Sequence, residues 1–285
     1  MKIAIAGANG YIAKNLIEEL RASDHTIVPI HRSMLSNVER LSELISQSGA
    51  VINLAGAPIL QRWTADNRKD ILNSRVVSTQ NIIRAINGLP ENKRPQTFIS
   101  ASAIGIYSPG AVHTEKSTSF STDFVGEVVK KWEEASADLS PQVRRVIFRI
   151  SPILGKEAQT IQKLLPVFKM GLGGKIGSGT QAFPFVHIYD VVNAMVWALQ
   201  NEQASGIYNL VAPENIDNQS FTRALAQAVN RPAMLTVPGF MLKLAYGEAA
   251  SMLLQSPQAK PQRLLNEGFA FLFPDIKTCL AEILK

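Results

Sequence analysis

The sequence predicts an α/β fold in which a doubly wound parallel sheet is followed by a small, mostly helical C-terminal lobe. Short apolar runs alternate with amphipathic helical patterns through residues 1–150, an order typical of parallel sheets with helices on both faces. A glycine-containing turn joins the first apolar run to the first helical pattern. Short helical patterns interrupted by prolines occupy residues 231–285. These observations indicate a Rossmann-like domain over residues 1–230 and a lobe over residues 231–285.

Each element of the first half is predicted by its own apolar pattern. Strands are predicted for five apolar runs: Ile3–Ala6, Thr26–Ile30, Ala50–Leu54, Thr97–Ala101 and Arg145–Ile150. Helices are predicted for four amphipathic stretches between them: Lys14–Leu20, Ser36–Ser46, Ser74–Ile86 and Asp123–Leu139. Only one helix fits between Arg32 and Val51. The sheet is therefore either one strand short or holds a very short strand near Met34-Leu35.

The second half is less regular. Gly171–Gly179 is dense in glycine and follows a predicted helix, not a buried strand, which favours a mobile loop or hairpin over a second phosphate-binding loop. Asp190 is predicted to cap a helix over Val191–Leu199. The remaining predicted elements before the lobe are a helix at Thr160–Met170, a strand at Gly206–Leu210 and a helix at Asn218–Val229.

Composition narrows the class of partner and the compartment. The chain has 285 residues, a net charge of +6 and one cysteine, Cys279. With no internal disulfide and a first apolar run that breaks at Gly7, we expect a cytoplasmic protein without an export signal. Basic residues are scattered, and no apolar run approaches the ~20 residues of a membrane span. Neither a nucleic acid, a membrane nor a bound metal is expected, and the oligomeric state is not predicted.

The glycine turn carries the chemistry of a dinucleotide site. It reads G-x-x-G-x-x-A, with Gly7, Gly10 and Ala13 at the small positions, between a strand and a helix. In this context the first glycine allows a tight turn, and the second lets backbone approach a pyrophosphate. The free N–H groups at the start of the helix favour the same phosphates. A purely structural turn is the alternative.

The end of the second predicted strand indicates which dinucleotide binds. In such folds this position, about 20 residues after the glycines, meets the adenosine ribose, and an acid there selects NAD. Here Arg32 stands 22 residues after Gly10, and no acid occupies residues 30–33. Arg32, with a further donor from His31, is suited to the 2′-phosphate of NADP. NADP(H) is therefore the predicted cofactor, and an exposed arginine without a ligand is the alternative.

Motifs along nearly the whole chain resemble the extended short-chain dehydrogenase/reductase superfamily. More narrowly they resemble its atypical, epimerase-like branch of NADP-dependent oxidoreductases and nucleoside-diphosphate-sugar epimerases, which has a small C-terminal domain. The motifs that carry the resemblance are Asn53–Pro58, Arg62-Trp63-Thr64, Ser74-Arg75, Ser100–Gly105, Trp132-Glu133, Gly171–Gly179, His187–Asp190, Asn209–Pro213, Arg231-Pro232, Gly247-Glu248, Pro261–Leu265 and Gly268-Phe269.

The resemblance extends the predicted cofactor site beyond the glycine turn. In the branch it resembles, Arg75 and the acid five positions before it, Asp70, are expected to touch the cofactor. The complete set of predicted cofactor-binding residues is Gly7, Asn9, Gly10, Tyr11, Ile12, His31, Arg32, Leu54, Ala55, Gly56, Asp70, Arg75, Ser100 and Ile153.

One departure from the superfamily limits what the resemblance implies. The superfamily's Tyr-x-x-x-Lys pair lowers the pKa of the tyrosine for proton transfer, but no tyrosine in this chain has a lysine four residues later. Ser102, which matches the superfamily's substrate-binding serine, and Tyr107 remain as candidate catalytic hydroxyls. Two functions stay open: an oxidoreductase or epimerase-like enzyme acting on an unidentified small molecule, and a non-catalytic NADP(H)-binding sensor or scaffold.

Overall fold

Six parallel strands form the central sheet of the protein, which a computed structural model describes from Met1 to Lys285. The strands of the chain are β1 Lys2–Ala6, β2 Thr26–Ile30, β3 Ala50–Asn53, β4 Thr97–Ala103, β5 Val112–His113, β6 Arg144–Ile150, β7 Ile153–Leu154, β8 Gly174–Ile176, β9 Val186–His187, β10 Gly206–Leu210, β11 Leu235–Val237 and β12 Gln258–Ala259. The order across the central sheet is β10-β6-β4-β3-β1-β2. This arrangement confirms the predicted Rossmann-like fold.

Helices cover both faces of this sheet. They are α1 Tyr11–Ala22, α2 Val38–Ile45, α3 Ala65–Asn73, α4 Val76–Asn87, α5 Phe124–Glu134, α6 Gln159–Lys169, α7 Ile188–Gln200, α8 Asn218–Ala228, α9 Gly239–Tyr246, α10 Ser251–Leu254, α11 Gln262–Asn266 and α12 Ile276–Ile283. None of them is both long enough and apolar enough to cross a bilayer.

Strand β1 shows how the apolar pattern builds the two layers. Its side chains alternate between the faces of the sheet, as the pleat requires. Ile3 and Ile5 pack with α1 and α7, whereas Ala4 and Ala6 pack with α2 and α4. All four residues are fully buried. A strand buried on both faces reads as a continuous apolar run, which is why β1 is recognisable in the sequence.

The structure decides between the alternatives for residues 32–50. A 3₁₀ turn at Arg32–Met34 follows β2, and α2 leads directly to β3. Met34-Leu35 therefore forms no strand. Of the two alternatives, the sheet that is one strand short is the one observed. A helix that the sequence pattern did not predict, α3, precedes α4. Asp70 therefore lies on α3, while Arg75 lies at the junction of the two helices.

Two predictions in the second half are wrong. The glycine-dense segment is neither a hairpin nor only a loop, because β8 within it pairs in parallel with the distant β11. Asp190 does not cap its helix, which begins earlier, at Ile188, with His187 as the capping residue. The Asp190 carboxylate instead accepts hydrogen bonds from the backbone N–H groups of Leu272 and Phe273, at 2.7 and 3.1 Å. It thereby anchors the C-terminal segment to α7.

The C-terminal segment is a set of short elements packed on the larger domain. Helix α12 lies against α8, α11 lies against β10, and β12 pairs with β5. The side chain of Cys279 is buried in the apolar cluster between α8 and α12. Helix α9 differs from these elements, because none of its residues is buried.

Candidate active site

A cleft opens at the C-terminal ends of β1, β2 and β3. The chain runs from β1 to β2 on one side and later returns to β3 on the other, and such a switch point is where ligands bind in open α/β sheets. The residues that line the cleft are Gly7, Ala8, Asn9, Gly10, His31, Arg32, Leu35, Leu54, Ala55, Gly56, Ala57, Ser74 and Ser78. Eight of the fourteen residues predicted to bind the cofactor are therefore brought together here.

The glycine turn forms the floor of this cleft. Gly7 has φ +77°, and a Cβ on it would lie 2.7 Å from the carbonyl oxygen of Leu54, so only glycine fits. Gly10 is the N-cap residue of α1 and offers no side chain to the first turn, which also contains no acid. The N–H groups of that turn are consequently available to an anion, and the macrodipole of this helix favours negative charge there.

Arg32 stands at the rim of the cleft and forms an ion pair with Asp70 of α3. Both side chains are well exposed, 70% for Arg32 and 44% for Asp70. An ion pair between exposed groups contributes little to stability, with a typical range of about 0–1 kcal/mol. The guanidinium of Arg32 is thus held at the cleft by a partner that a more highly charged anion can replace.

Arg75 supports the loop that follows β3. Its guanidinium donates hydrogen bonds to the carbonyl oxygens of Ile71 and Ala57, at 3.1 and 3.0 Å, and lies 5.2 Å from the ring of Trp132. Burial lowers the pKa of this guanidinium to about 10. A Cβ on Gly56 would approach Arg75 to 3.1 Å, so Arg75 lies directly against the lining of the cleft.

The other predicted cofactor residues lie outside the lining of this cleft. The ring of Tyr11 is half-buried near Gly155 and His187, and burial raises the pKa of its phenol to about 12. Ile12 and Ile153 pack against the apolar core. Ser100 is buried in β4, and its hydroxyl donates to the carbonyl oxygen of Ala101. The predicted contacts of these four residues with the cofactor therefore stay predictions.

Ser102 lies near the end of β4, in the middle of the sheet. Its hydroxyl donates a 2.6 Å hydrogen bond to Oε1 of Glu133 on α5. Since the proton of Ser102 is directed at a carboxylate, the lone pairs of Oγ are the part of the group left for another ligand. Ser102 is therefore oriented to accept a hydrogen bond, for example from a hydroxyl.

Glu133 is held by a second partner, Arg149 of β6. The Arg149 guanidinium donates to both carboxylate oxygens, at 2.8 and 2.7 Å, which is the bidentate geometry typical of strong arginine–carboxylate pairs. The Arg149 side chain is 4% exposed and that of Glu133 is 11% exposed. Burial alone would lower the pKa of Arg149, but the hydrogen bonds and charge of Glu133 raise it above its usual value.

Tyr107 belongs to the same buried network. Its hydroxyl accepts a 2.8 Å hydrogen bond from Arg149 and donates to Oδ1 of Asn209, also at 2.8 Å. The side chain is 1% exposed, and burial raises the pKa of the phenol although Arg149 opposes this shift. The structure thus joins Tyr107 to Ser102 through Arg149 and Glu133, with the phenol inside the network and not in an open cleft.

Two residues of this network, Glu133 and Arg149, were not predicted as functional from the sequence. A signal for them exists: Arg149 interrupts the apolar run of a central strand. An arginine buried in a sheet requires a carboxylate partner, because an unpaired buried charge is very costly. Glu133 of α5 is that partner.

His187 has a structural position. Its ring is buried, packs 4.1 Å from the ring of Phe273, and its Nδ1 accepts a hydrogen bond from the backbone of Tyr189. Burial lowers the pKa of the imidazole to about 4. His187 is therefore neutral near pH 7 and serves as the cap of α7.

Comparison with known proteins defines the class of protein first. The sequence model of the NAD dependent epimerase/dehydratase family matches residues 3–210, which is most of the chain. The protein belongs to this family, and the predicted resemblance is confirmed. A domain of unknown function, DUF1731, matches residues 237–283.

The similarity to particular relatives extends over the whole chain. The epimerase family protein SDR39U1 of Bos taurus is 34% identical, with 100% of both chains covered. The SDR39U1 homolog of Arabidopsis thaliana, described as chloroplastic, is 32% identical over 100% of this chain and 87% of the relative. The crystal structure of human SDR39U1 (isoform 2) with NADPH superposes with a TM-score of 0.92, at 30% identity, covering 100% of this chain and 99% of the other.

Proposed function

We propose that this protein is an NADP(H)-dependent oxidoreductase or epimerase-like enzyme that acts on a small molecule and uses an unorthodox proton-handling group. The observation that supports NADP(H) as the cofactor is the cleft beside Gly7 and Gly10, with Arg32 at its rim. The cleft offers free helix N–H groups for a pyrophosphate and a guanidinium for a 2′-phosphate. The NADPH in the similar human SDR39U1 structure supports the same choice.

The residues of the cleft fit this cofactor by their chemistry. The glycine turn and the first turn of α1 would hold the pyrophosphate, because Gly10 leaves the space beside the turn open. A Cβ on Gly10 would lie 3.2 Å from the carbonyl oxygen of Gly7, and a branched side chain there would fill that space. Arg32 and His31 would hold the adenosine end. When bound, the nicotinamide accepts or delivers a hydride at a carbon of the substrate.

Ser102 and Glu133 supply the proton path in this proposal. A substrate hydroxyl donates to Oγ of Ser102, whose own proton already points at Oε1 of Glu133. As a hydride leaves the substrate carbon, the hydroxyl proton moves to Ser102 and the Ser102 proton moves to Glu133, which yields a carbonyl. Arg149 keeps Glu133 in position as the proton acceptor. A carboxylate is a weaker base than a lysine-activated phenolate, so turnover is expected to be slow.

A second candidate function, a non-catalytic NADP(H)-binding sensor, is favoured by a different observation. Ser102 and Tyr107 are both buried, and each already has hydrogen-bond partners within the protein. A purely structural network would have the same appearance. In that case the network would only hold β4, α5 and β6 together.

The test is hydride transfer on addition of a metabolite library, monitored at 340 nm as formation of NADPH from bound NADP⁺ and, in the reverse direction, as loss of bound NADPH, in wild type and in Ser102→Ala. Turnover that depends on the Ser102 hydroxyl, with unchanged NADPH affinity, supports the enzyme. No change at 340 nm in either direction and no isomerised product with any compound, together with tight NADPH binding, supports the sensor. Brisk turnover that survives Ser102→Ala and Tyr107→Phe contradicts the assignment of both hydroxyls.

We also propose a cytoplasmic location for the protein. The description of the Arabidopsis relative as chloroplastic concerns that protein.

A further inference from the structure

The net charge of the chain is concentrated on two segments. Residues 158–189 and 218–247 contain no aspartate or glutamate. They carry six basic residues, which equals the net charge of +6, so the remainder of the chain is balanced. The basic residues are Lys163, Lys169, Lys175, Arg223, Arg231 and Lys243.

The same two segments hold much of the exposed apolar surface. The chain has fifteen large hydrophobic side chains that are well exposed, and nine of them lie here: Tyr189 at the end of the first segment and eight others. The eight others are Val167, Met170, Leu172, Met234, Leu235, Phe240, Met241 and Leu244. Three of them protrude strongly into solvent: Met234 is 89% exposed, Leu244 is 74% exposed and Phe240 is 69% exposed. Soluble domains rarely leave such groups clustered without a partner.

The fold brings the two segments together into one face, which we call the α6–α9 face and define by the eight apolar residues above. Strand β8 of the first segment pairs with β11 of the second. The Arg231 guanidinium donates to the carbonyl oxygen of Lys169 at 3.1 Å, next to Met170. At the other end, the Lys163 ammonium lies 5.9 Å from the ring of Tyr246, the last residue of α9. Cations and protruding apolar groups thus share one surface.

We infer, against the expectation from composition that a membrane is not a partner, that the α6–α9 face docks on an anionic lipid bilayer. Protruding Phe, Leu and Met side chains insert among lipid headgroups and acyl chains, while surrounding lysines and arginines attract anionic headgroups. The absence of acids from both segments removes the repulsion that such a surface would meet. Helix α9 adds to this fit, because it leaves Phe240 and Leu244 exposed one turn apart with Lys243 beside them.

The shape of the face favours lipid over a protein partner. Peptides that bind apolar surfaces usually fill a groove with their own anchors, whereas here Met234, Phe240 and Leu244 stand out from the surface. A second copy of the chain would bring the same unbalanced cations against each other, which costs affinity. A bilayer that contains anionic lipids meets both features, since it accepts projecting side chains and presents a net negative surface.

Vesicle co-sedimentation tests this inference with the full-length protein. Vesicles of phosphatidylcholine alone are compared with vesicles that contain about one third phosphatidylglycerol, at low and at high salt. We expect binding to the anionic vesicles only, and weaker binding at high salt because the surface charges are screened. The double variant Phe240→Ser/Leu244→Ser should bind these vesicles at least about tenfold more weakly, because two apolar side chains no longer insert.

Control variants and one further measurement make the outcome decisive. Leu272→Ser, at an exposed leucine outside the face, should keep full vesicle binding. Lys243→Glu should weaken binding to anionic vesicles. Unchanged NADPH affinity and melting temperature show that each variant is folded.

Absence of binding to anionic vesicles overturns the inference, and so does binding that the double variant retains. A shift from dimer to monomer in the double variant, measured by sedimentation velocity, would assign the face to self-association instead.

Discussion

Ser102 and Glu133 form a 2.6 Å hydrogen bond that joins the end of β4 to α5, with the serine as donor. Because Arg149 holds the carboxylate on its other side, the serine proton has one fixed direction. The relationship places a proton acceptor behind the only serine hydroxyl that matches the superfamily's substrate-binding position. It is the physical basis for the proposed proton path.

Glu133→Gln should lower turnover while leaving cofactor binding intact. The amide keeps the size of the side chain but accepts a proton far less readily, and loss of a general base typically costs about 10²–10⁴ in rate. Glu133 acts on the substrate through Ser102, so the loss should fall on kcat and leave the KM for substrate nearly unchanged. Undiminished turnover in Glu133→Gln would assign the pair a structural role only.

Arg149→Met should destabilise the fold strongly. The substitution leaves the Glu133 carboxylate buried without its ion-pair partner, and removes the donor to the Tyr107 hydroxyl. Breaking a buried pair by removing one partner costs about 3–5 kcal/mol. Urea denaturation measures this change. The matched double variant Glu133→Leu/Arg149→Met should recover a large part of the loss, and a double variant no more stable than Arg149→Met would argue against an uncompensated charge as the cause.

Asp70→Asn should tighten the binding of NADPH without affecting NADH. The carboxylate of Asp70 now competes with the 2′-phosphate for Arg32 and repels it. Since both side chains are exposed, the gain is expected to be modest, on the order of a two- to fivefold lower Kd. Asp66→Asn on the same helix is the control, because Asp66 has no ion-pair partner. Equal changes for both dinucleotides, measured by fluorescence titration, would show that Asp70 does not act through Arg32.

Acid should weaken the fold through His187. Burial depresses the pKa of this imidazole to about 4 in the folded protein, against an ordinary value of 6.5. The unfolded chain therefore binds the proton first, and stability is lost as pH falls from about 6.5 to about 4, by at most about 3 kcal/mol. His187→Asn keeps a capping acceptor but does not titrate. Denaturation between pH 4 and 7 should show a flatter dependence for this variant, and an identical slope would rule out His187 as the source.

The sequence predicted the sheet well because the buried strands are continuous apolar runs, such as Ile3–Ala6, and because glycine chemistry marks the turn after β1. It failed where long-range contacts decide the local structure. The pairing of β8 with β11 joins residues about sixty positions apart, and the carboxylate of Asp190 binds backbone more than eighty residues away. Neither contact leaves a pattern in its own segment.

The candidate site divides in the same way. The candidate cofactor cleft is local to three strand ends, and eight of the residues predicted for it, Arg32 and Gly56 among them, line it. The network around Ser102 depends on side chains from β4, α5 and β6, which only the fold brings together. For this reason Glu133 and Arg149 were found only in the structure. The same is true of the α6–α9 face.

Calorimetric titration of NADPH and NADH into wild type and Arg32→Ala is the most direct measurement of the central claim, which is that this cleft holds NADP(H) through Arg32. We predict that wild type prefers NADPH, and that Arg32→Ala weakens NADPH by roughly 1.5–3 kcal/mol, the range for a charge-assisted contact, with NADH nearly unchanged. Arg40→Ala, at an exposed arginine on α2, is the control and should alter neither dinucleotide. Equal losses for NADPH and NADH in Arg32→Ala, or no loss for either, would contradict the claim.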